Sequence, residues 1–186
     1  MSLSEWKKRD EKRTIPPVDN TPFAAFRIAR EFDLDWLMPS ILYCISSHPF
    51  EKTLDHAIWG DEKINFQWAD KRMCILGRQK LLMMQSQNAL TMTKTAETSV
   101  EDCTGNSCPS TRLRCADILG GWDMAGFLDY FEDNANIYSH DLCLVCRTTF
   151  KETCMAAGQH MWNELPTMFG LPSWDELEKH KSFSFD

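Results

Sequence analysis

Four of the eight cysteines form two closely spaced pairs. Cys103 and Cys108 are separated by four residues, and Cys143 and Cys146 by two. Structural zinc takes four deprotonated soft ligands at the corners of a tetrahedron, and two short-spaced cysteine pairs are the usual source of such ligands. The spacing therefore predicts a structural zinc site whose ligands are Cys103, Cys108, Cys143 and Cys146.

The sequence around each pair favours convergence of its two sulfur atoms. The first pair encloses Thr104–Ser107, whose Thr-Gly-Asn-Ser sequence is typical of a turn. Cys143 and Cys146 stand at positions i and i+3 near a predicted helix start, where Cβ atoms on one face are about 5–6 Å apart. Cys108 lies at another predicted helix start, just before Pro109, and the positive end of a helix dipole favours thiolate over thiol.

Other interpretations of these cysteines remain open at the level of sequence. His140 could replace one cysteine as a ligand. Cys143 and Cys146 could instead act as a redox dithiol, although the βαβ setting typical of such a motif is not predicted. The remaining four are predicted to be ordinary buried thiols, namely Cys44, Cys74, Cys115 and Cys154.

No catalytic motif accompanies the cysteines. The chain has no G-x-S-x-G, no H-E-x-x-H and no glycine-rich phosphate loop. Its paired carboxylates, Asp61-Glu62, Glu101-Asp102 and Glu132-Asp133, stand in polar, loop-like sequence, which indicates solvated surface. We therefore expect a protein that is not an enzyme, with a thiol redox or cysteine-dependent enzyme as the alternative.

Composition and charge limit the possible partners. The chain has 43% apolar residues, 25% charged residues and a net charge of −7, which argues against general nucleic-acid binding and makes a transcription-linked zinc module the weaker alternative. The first residues lack the apolar segment of a signal peptide, and no apolar stretch approaches the length of about 20 residues that a membrane span needs. These features predict an intracellular protein of the cytoplasm or nucleus.

Hydrophobic periodicity predicts an all-α fold of about seven helices in two packed halves, residues 1–92 and 93–186. The polar segment Thr91–Ser107 lies at the junction of the two halves, and the predicted zinc site cross-links the second half. No run alternates for long enough to predict a strand. The predicted helix starts are at Thr21, Asp35, Pro49, Asn65, Pro109, Asp123, Asp141 and Ser173.

The longest predicted helix covers about residues 66–92. Its main apolar seam alternates in steps of three and four residues and is expected to be buried, with a second stripe beside it. The seam consists of Phe66, Ala69, Met73, Leu76, Met83 and Leu90, and the second stripe of Trp68, Ile75, Leu82 and Ala89.

Apolar residues recur through the end of the chain, where Pro166 and Pro172 predict two bends. This segment, called the C-terminal clasp below, is expected to fold back and close the core. It contains Trp162, Leu165, Phe169, Leu171, Trp174 and Leu177.

Several stretches together resemble a known family. Ile28–Tyr43 resembles the AREF-L--LLP-ALY segment that follows the BTB/POZ domain in a large group of basidiomycete BTB-domain proteins. Trp6–Pro17 is similar to the helix and Pro-rich turn that precede that segment. Both cysteine pairs have counterparts in the group, and the sequence WNELPTMFGLPSWDEL of residues 162–177 is the most specific match.

The resemblance covers nearly the whole chain and implies a helical region that follows a BTB domain. Proteins of this group are taken to be adaptors or scaffolds, and some present substrates to cullin ubiquitin ligases. It therefore implies a protein-interaction role, with a ubiquitin-ligase or scaffold component as partner. The BTB domain itself lies outside the resemblance, so its dimerisation and cullin-binding surfaces are not carried over.

Overall fold

A computed structural model describes residues 2–8, 20–55, 57–97, 103–120, 128, 141–179 and 181. These residues are mostly helical, which confirms the predicted all-α class: they form eight α-helices, one 3-10 helix and one two-stranded hairpin. The helices are α1 Leu3–Lys7, α2 Thr21–Glu31, α3 Met38–Ser46, α4 Phe50–Leu54, α5 Trp68–Glu97, α6 Cys108–Gly120, α7 Leu144–Met168 and α8 Trp174–Lys179, with the 3-10 helix at Asp35–Leu37. The strands are β1 Ala57–Trp59 and β2 Glu62–Ile64. Among the helices described here, none is long and apolar enough to cross a membrane.

The hairpin was not predicted from the sequence. Its strands pair antiparallel, with Ala57 opposite Ile64 and Trp59 opposite Glu62. Gly60 in the connecting turn has a φ of +60°, a conformation that glycine adopts without the steric cost of a Cβ. Each strand has three residues, which is too short for an alternating pattern to show.

The chain divides into two compact units. The first unit comprises residues 1–80 and 163–186, and the second comprises residues 81–162. This division differs from the predicted halves at 1–92 and 93–186, because the last 24 residues group with the amino-terminal part of the chain. Both boundaries fall inside a long helix, α5 or α7, where no change of composition marks them.

Aromatic and aliphatic side chains form the core of the first unit. In α3, Met38, Leu42 and Tyr43 are fully buried, and the ring of Tyr43 meets that of Trp6 edge to face at 5.4 Å. Helix α2 packs against α3 and directs Phe26 into the core. Edge-to-face aromatic contacts add to simple area burial, so these side chains fix the relative positions of the helices.

Helix α2 follows its predicted pattern only in part. Phe23, Phe26 and Ala29 are buried as predicted, whereas Ile28 and Phe32 are 47% and 60% exposed. The buried residues are three apart and share one face, and the two exposed residues lie on another. The helix begins at Thr21 with Asn20 before it, rather than with Thr21 as its N-cap.

The predicted seam of the long helix was wrong. Helix α5 covers Trp68–Glu97 instead of residues 66–92, and Leu76, Met83 and Leu90 are 39%, 56% and 61% exposed. A different helical face is buried, with small or polar residues among its members. That face consists of Cys74, Gly77, Leu81, Gln85 and Ala89.

The close approach of Phe169 to Gly77 explains which face of α5 is buried within the first unit. The ring of Phe169 lies directly against Gly77, in the space that a Cβ would occupy. A larger side chain at position 77 would exclude this contact, so the face that holds the small residue is the one that packs.

The C-terminal clasp leaves its helix later than Pro166 suggested. Pro166 lies inside α7, so the chain does not turn out of the helix at this residue. The turn comes after Met168, where Gly170 has a φ of +72° and the N–H groups of Gly170 and Leu171 donate to the carbonyls of Thr167 and Pro166 at 3.1 and 2.9 Å. These two hydrogen bonds form a Schellman motif, which ends the helix.

After this turn the chain packs within the first unit. Helix α8 lies against the 3-10 helix, and Lys181 stands 4.9 Å from the ring of Trp36. Phe169 and Leu177 are buried, as expected of a segment that closes the core. The backbone N–H of Ser173 donates to the Glu176 carboxylate at 3.2 Å, in agreement with the predicted helix start.

Candidate metal centre

The second unit contains two helix starts that present cysteines. Cys108 is the first residue of α6, and its N–H donates to the carbonyl of Gly105 at 3.2 Å, which closes a tight turn after Cys103. Cys143 directly precedes α7, and its carbonyl accepts from the N–H of Arg147 at 2.9 Å. The predicted start of this helix at Asp141 is therefore displaced by two residues, and that at Asp123 falls outside the residues described.

The four predicted ligands come together. The Sγ atoms of Cys103, Cys108, Cys143 and Cys146 all lie within 4.8 Å of one another, and those of Cys103 and Cys146 are 3.4 Å apart. Cys108 and Cys146 are fully buried, whereas Cys103 and Cys143 are partly exposed. We call this group the four-cysteine cluster. Each cysteine pair supplies one buried and one partly exposed sulfur.

Gly105 makes the convergence possible. A Cβ at this position would lie 2.5 Å from Cys108 Sγ and 3.6 Å from Cys143 Cβ. The second distance is an ordinary contact, but real Cβ atoms do not approach another heavy atom to 2.5 Å, because the overlap is strongly repulsive. The Thr-Gly-Asn-Ser sequence had indicated a turn, but the need for a missing side chain at Gly105 became visible only in three dimensions.

Hydrogen bonds outside the cluster connect the two segments. Ser107 Oγ donates to the carbonyl of Asp141 at 3.4 Å, and Arg114 forms a 3.1 Å ion pair with the Asp141 carboxylate. Both members of this ion pair are more than half exposed, so its own contribution to stability is small. These contacts orient the turn after Cys103 towards the start of α7.

Backbone donors and burial act in opposite directions on the thiols. The N–H of Cys146, followed by that of Thr104, lowers the pKa of the Cys143 thiol to about 6. Burial is the largest cause that raises the pKa of Cys146. At Cys108 the N–H of Cys143, 3.3 Å from the sulfur, is the largest single influence and lowers the pKa, but burial and hydrogen bonds to other thiols raise it overall.

The donor set fits a tetrahedral metal ion that binds sulfur. With bonds of about 2.3 Å, a tetrahedral zinc separates its sulfur ligands by roughly 3.8 Å, which is compatible with sulfurs that lie within 4.8 Å of one another. The N–H of Cys143 supplies the hydrogen bond to sulfur that commonly supports thiolate ligands. The four-cysteine cluster can therefore bind a metal ion, whereas His140, the alternative ligand, lies outside the described residues.

The other four cysteines stand apart from the cluster. All eight cysteines lie in described parts of the chain, and none of them forms a disulfide bond. Cys74, Cys115 and Cys154 are buried and Cys44 is partly buried. Burial, with a smaller effect of Asp70, raises the pKa of Cys74 to about 12, and burial also raises the pKa values of Cys115 and Cys154. The thiols of Cys74, Cys115 and Cys154 therefore remain protonated at neutral pH, as expected of structural thiols.

No protein-family model matches this chain, and no similar curated protein or solved structure was found. The resemblance to the region that follows the BTB domain in basidiomycete proteins therefore stays a prediction. The proposal of a function therefore rests on the geometry of the four-cysteine cluster.

Proposed function

We propose that this chain is a non-catalytic protein-interaction module whose four-cysteine cluster binds one structural zinc ion. The observation that carries the proposal is the convergence of four sulfurs from two separate segments, with all pairs within 4.8 Å. Zinc bound by four thiolates has no free coordination position for water or substrate, so it acts on folding rather than on catalysis. The metal joins the turn after Cys103 to the start of α7 and holds the second unit together.

The interaction role is supported by the family resemblance. On this hypothesis the module acts inside the cell as part of an adaptor or scaffold. Its partner is a protein such as a ubiquitin-ligase or scaffold component. The net charge of −7 is in keeping with a protein partner rather than nucleic acid. Binding to a random duplex at low salt would contradict this part and favour the transcription-linked alternative.

Elemental analysis of protein purified without chelator tests the zinc site. We expect one zinc per chain in the wild type and a large loss in Cys143→Ser, with a lower thermal midpoint because metal-binding free energy contributes to folding. Cys44→Ser is the matched control, because Cys44 is a partly buried thiol outside the cluster. Folded wild-type protein that contains no metal would rule out the structural zinc.

A thiol redox function is the second candidate, and one observation favours it. The pKa of Cys143 is lowered to about 6, next to Cys146 in a C-x2-C pair. Alkylation at neutral pH distinguishes the two functions. A structural site protects Cys143 until zinc is removed, whereas a redox dithiol reacts rapidly in protein as purified and forms a reversible disulfide.

A further inference from the structure

The first unit contains a cleft whose residues are far in sequence from the four-cysteine cluster. It has a volume of about 330 Å³ and lies between α2, β2 and the start of α5. Phe26 and Phe66 line it, with their ring centroids 4.5 Å apart. The volume is at the lower end of the range of about 300–1,000 Å³ typical of small-molecule pockets, so it suits a ligand with few atoms or a single side chain.

Cations outnumber carboxylates in the lining of this cleft. Arg27, Arg30 and Lys63 line it together with one carboxylate, that of Asp70. The local excess of positive charge contrasts with the chain as a whole, which carries −7. An excess of positive charge in a cleft raises the local concentration of anions. We call this feature the arginine cleft.

The two arginines already bind carboxylates of the protein itself. Arg27 Nη1 lies 2.8 Å from Glu62 Oε2, and Arg30 Nη2 lies 3.1 Å from Asp70 Oδ1. The side chains of Arg27 and Glu62 are 57% and 68% exposed, so their ion pair contributes little to stability. An incoming anion can replace Glu62 on Arg27 at small cost. The Arg30–Asp70 pair is less exposed and holds its guanidinium 5.4 Å from the Phe26 ring.

We infer that the arginine cleft binds an anionic group, a carboxylate or a phosphate, attached to an aromatic or other apolar group. Arg27 would take the anion through its planar fork of N–H donors, which matches both oxyanions. Phe26 and Phe66 would contact the apolar part. This inference is independent of the zinc site, because every residue that lines the cleft belongs to the first unit.

Calorimetric titration of zinc-loaded wild-type protein at low salt tests the inference. The probes are phenyl phosphate, benzoate and, as the uncharged control, benzyl alcohol. We expect the two anions to bind with Kd values below about 1 mM, to weaken with added salt, and to bind at least about tenfold more tightly than the alcohol.

Three variants locate the site. Arg27→Gln should raise the Kd for phenyl phosphate about tenfold through loss of a charge-assisted hydrogen bond. Glu62→Gln should lower it, because the competing carboxylate is removed. Arg72→Gln is the matched control, an exposed arginine of α5 that does not line the cleft. Arg27 and Glu62 are both largely exposed, so their variants should keep the fold, which circular dichroism checks.

The binding measurements on these variants distinguish an anion site in the arginine cleft from its absence. Anion binding that Arg27→Gln weakens, Glu62→Gln strengthens and Arg72→Gln leaves unchanged establishes the site. A short peptide with adjacent glutamate and phenylalanine then identifies the source of the anion. Tighter binding of the peptide than of benzoate indicates a protein segment, and weaker or equal binding indicates a small molecule. Absence of saturable anion binding, or equal effects of Arg27→Gln and Arg72→Gln, would overturn the inference whether or not zinc is bound.

Discussion

The two compact units depend on different kinds of contact. Among the residues described, the twelve largest fully buried side chains include nine from the first unit and three from the second, Leu81, Met161 and Trp162. The second unit instead contains the four-cysteine cluster. Within the described parts of the second unit fewer large side chains are fully buried, and a structural metal can supply stability there.

We therefore expect the two units to differ in what their folding requires. Packing of Tyr43, Trp6 and their neighbours needs no cofactor, so the first unit should retain its structure under conditions that remove metal. The proposed zinc instead couples folding of the second unit to metal supply and to the protonation of its thiols. The predictions below test this difference.

Removal of zinc should have the largest effect. Under chelation, amides of residues 103–120 and 141–162 should lose protection from hydrogen exchange, while those of residues 20–55 keep most of theirs. Apparent free energies of structural zinc binding are about 10–16 kcal/mol in small domains, which is comparable with the whole free energy of unfolding of a typical protein, about 5–15 kcal/mol. Exchange measured by mass spectrometry checks this, and equal loss in both regions would contradict the separation.

Leu42→Ala should destabilise the first unit by about 2–5 kcal/mol, because it leaves a cavity where a fully buried side chain was. Zinc content should remain at the wild-type value, since Leu42 and the cluster belong to different units. Urea unfolding with elemental analysis of the same sample measures both quantities. Loss of zinc from the folded variant would show that the units are not independent in stability.

Gly105→Ala should weaken metal binding without removing a ligand. The new Cβ must displace Cys108 Sγ, which lies 2.5 Å from its ideal position. Loss of support around a metal site typically lowers affinity about 10–100-fold. Competition with a chromophoric zinc chelator measures the change, and an unaltered affinity would mean that the turn adjusts freely.

Gly158→Ala is the control for the same substitution in the same unit, and it should have the smallest effect. Among the described residues, the nearest atom to its new Cβ is Leu128 Cδ2 at 4.0 Å, an ordinary van der Waals contact. Because Gly158 lies inside α7, alanine should stabilise the helix by up to about 1 kcal/mol. Thermal unfolding of the zinc-loaded protein measures the gain, and a lower midpoint would indicate that the site is more crowded than described.

The sequence predicted the fold class and the candidate ligands for local reasons. Apolar residues at helical spacing indicated helices, and the short spacings of Cys103/Cys108 and Cys143/Cys146 placed each pair where its two sulfurs could meet. Gly170 and Pro172 after α7 likewise carry a recognisable helix-stop signal. In each case the information lies within a few residues, where backbone geometry restricts what the chain can do.

The larger errors concern choices that depend on distant residues, whereas the helix starts predicted at Thr21 and Asp141 were displaced by only one and two residues. The sequence offered several apolar faces for α5, and the face with Gly77 is buried because Phe169, 92 positions later, lies against it. Pro166 predicted a bend but lies inside α7. The pair of three-residue strands is defined by mutual pairing, and its individual strands carry no pattern long enough to recognise.

By itself the sequence determined that the chain is mainly helical and which four cysteines are suited to bind one metal, because helical periodicity, turns and ligand spacing are local properties. Only the tertiary structure decided which face of each helix is buried and that the two cysteine pairs, with 34 residues between them, meet at one point. It also placed the last residues in the first unit and lined a cleft with arginines 27 and 30. These outcomes depend on packing between segments distant in sequence, where steric fit selects among faces that local preferences leave nearly equivalent.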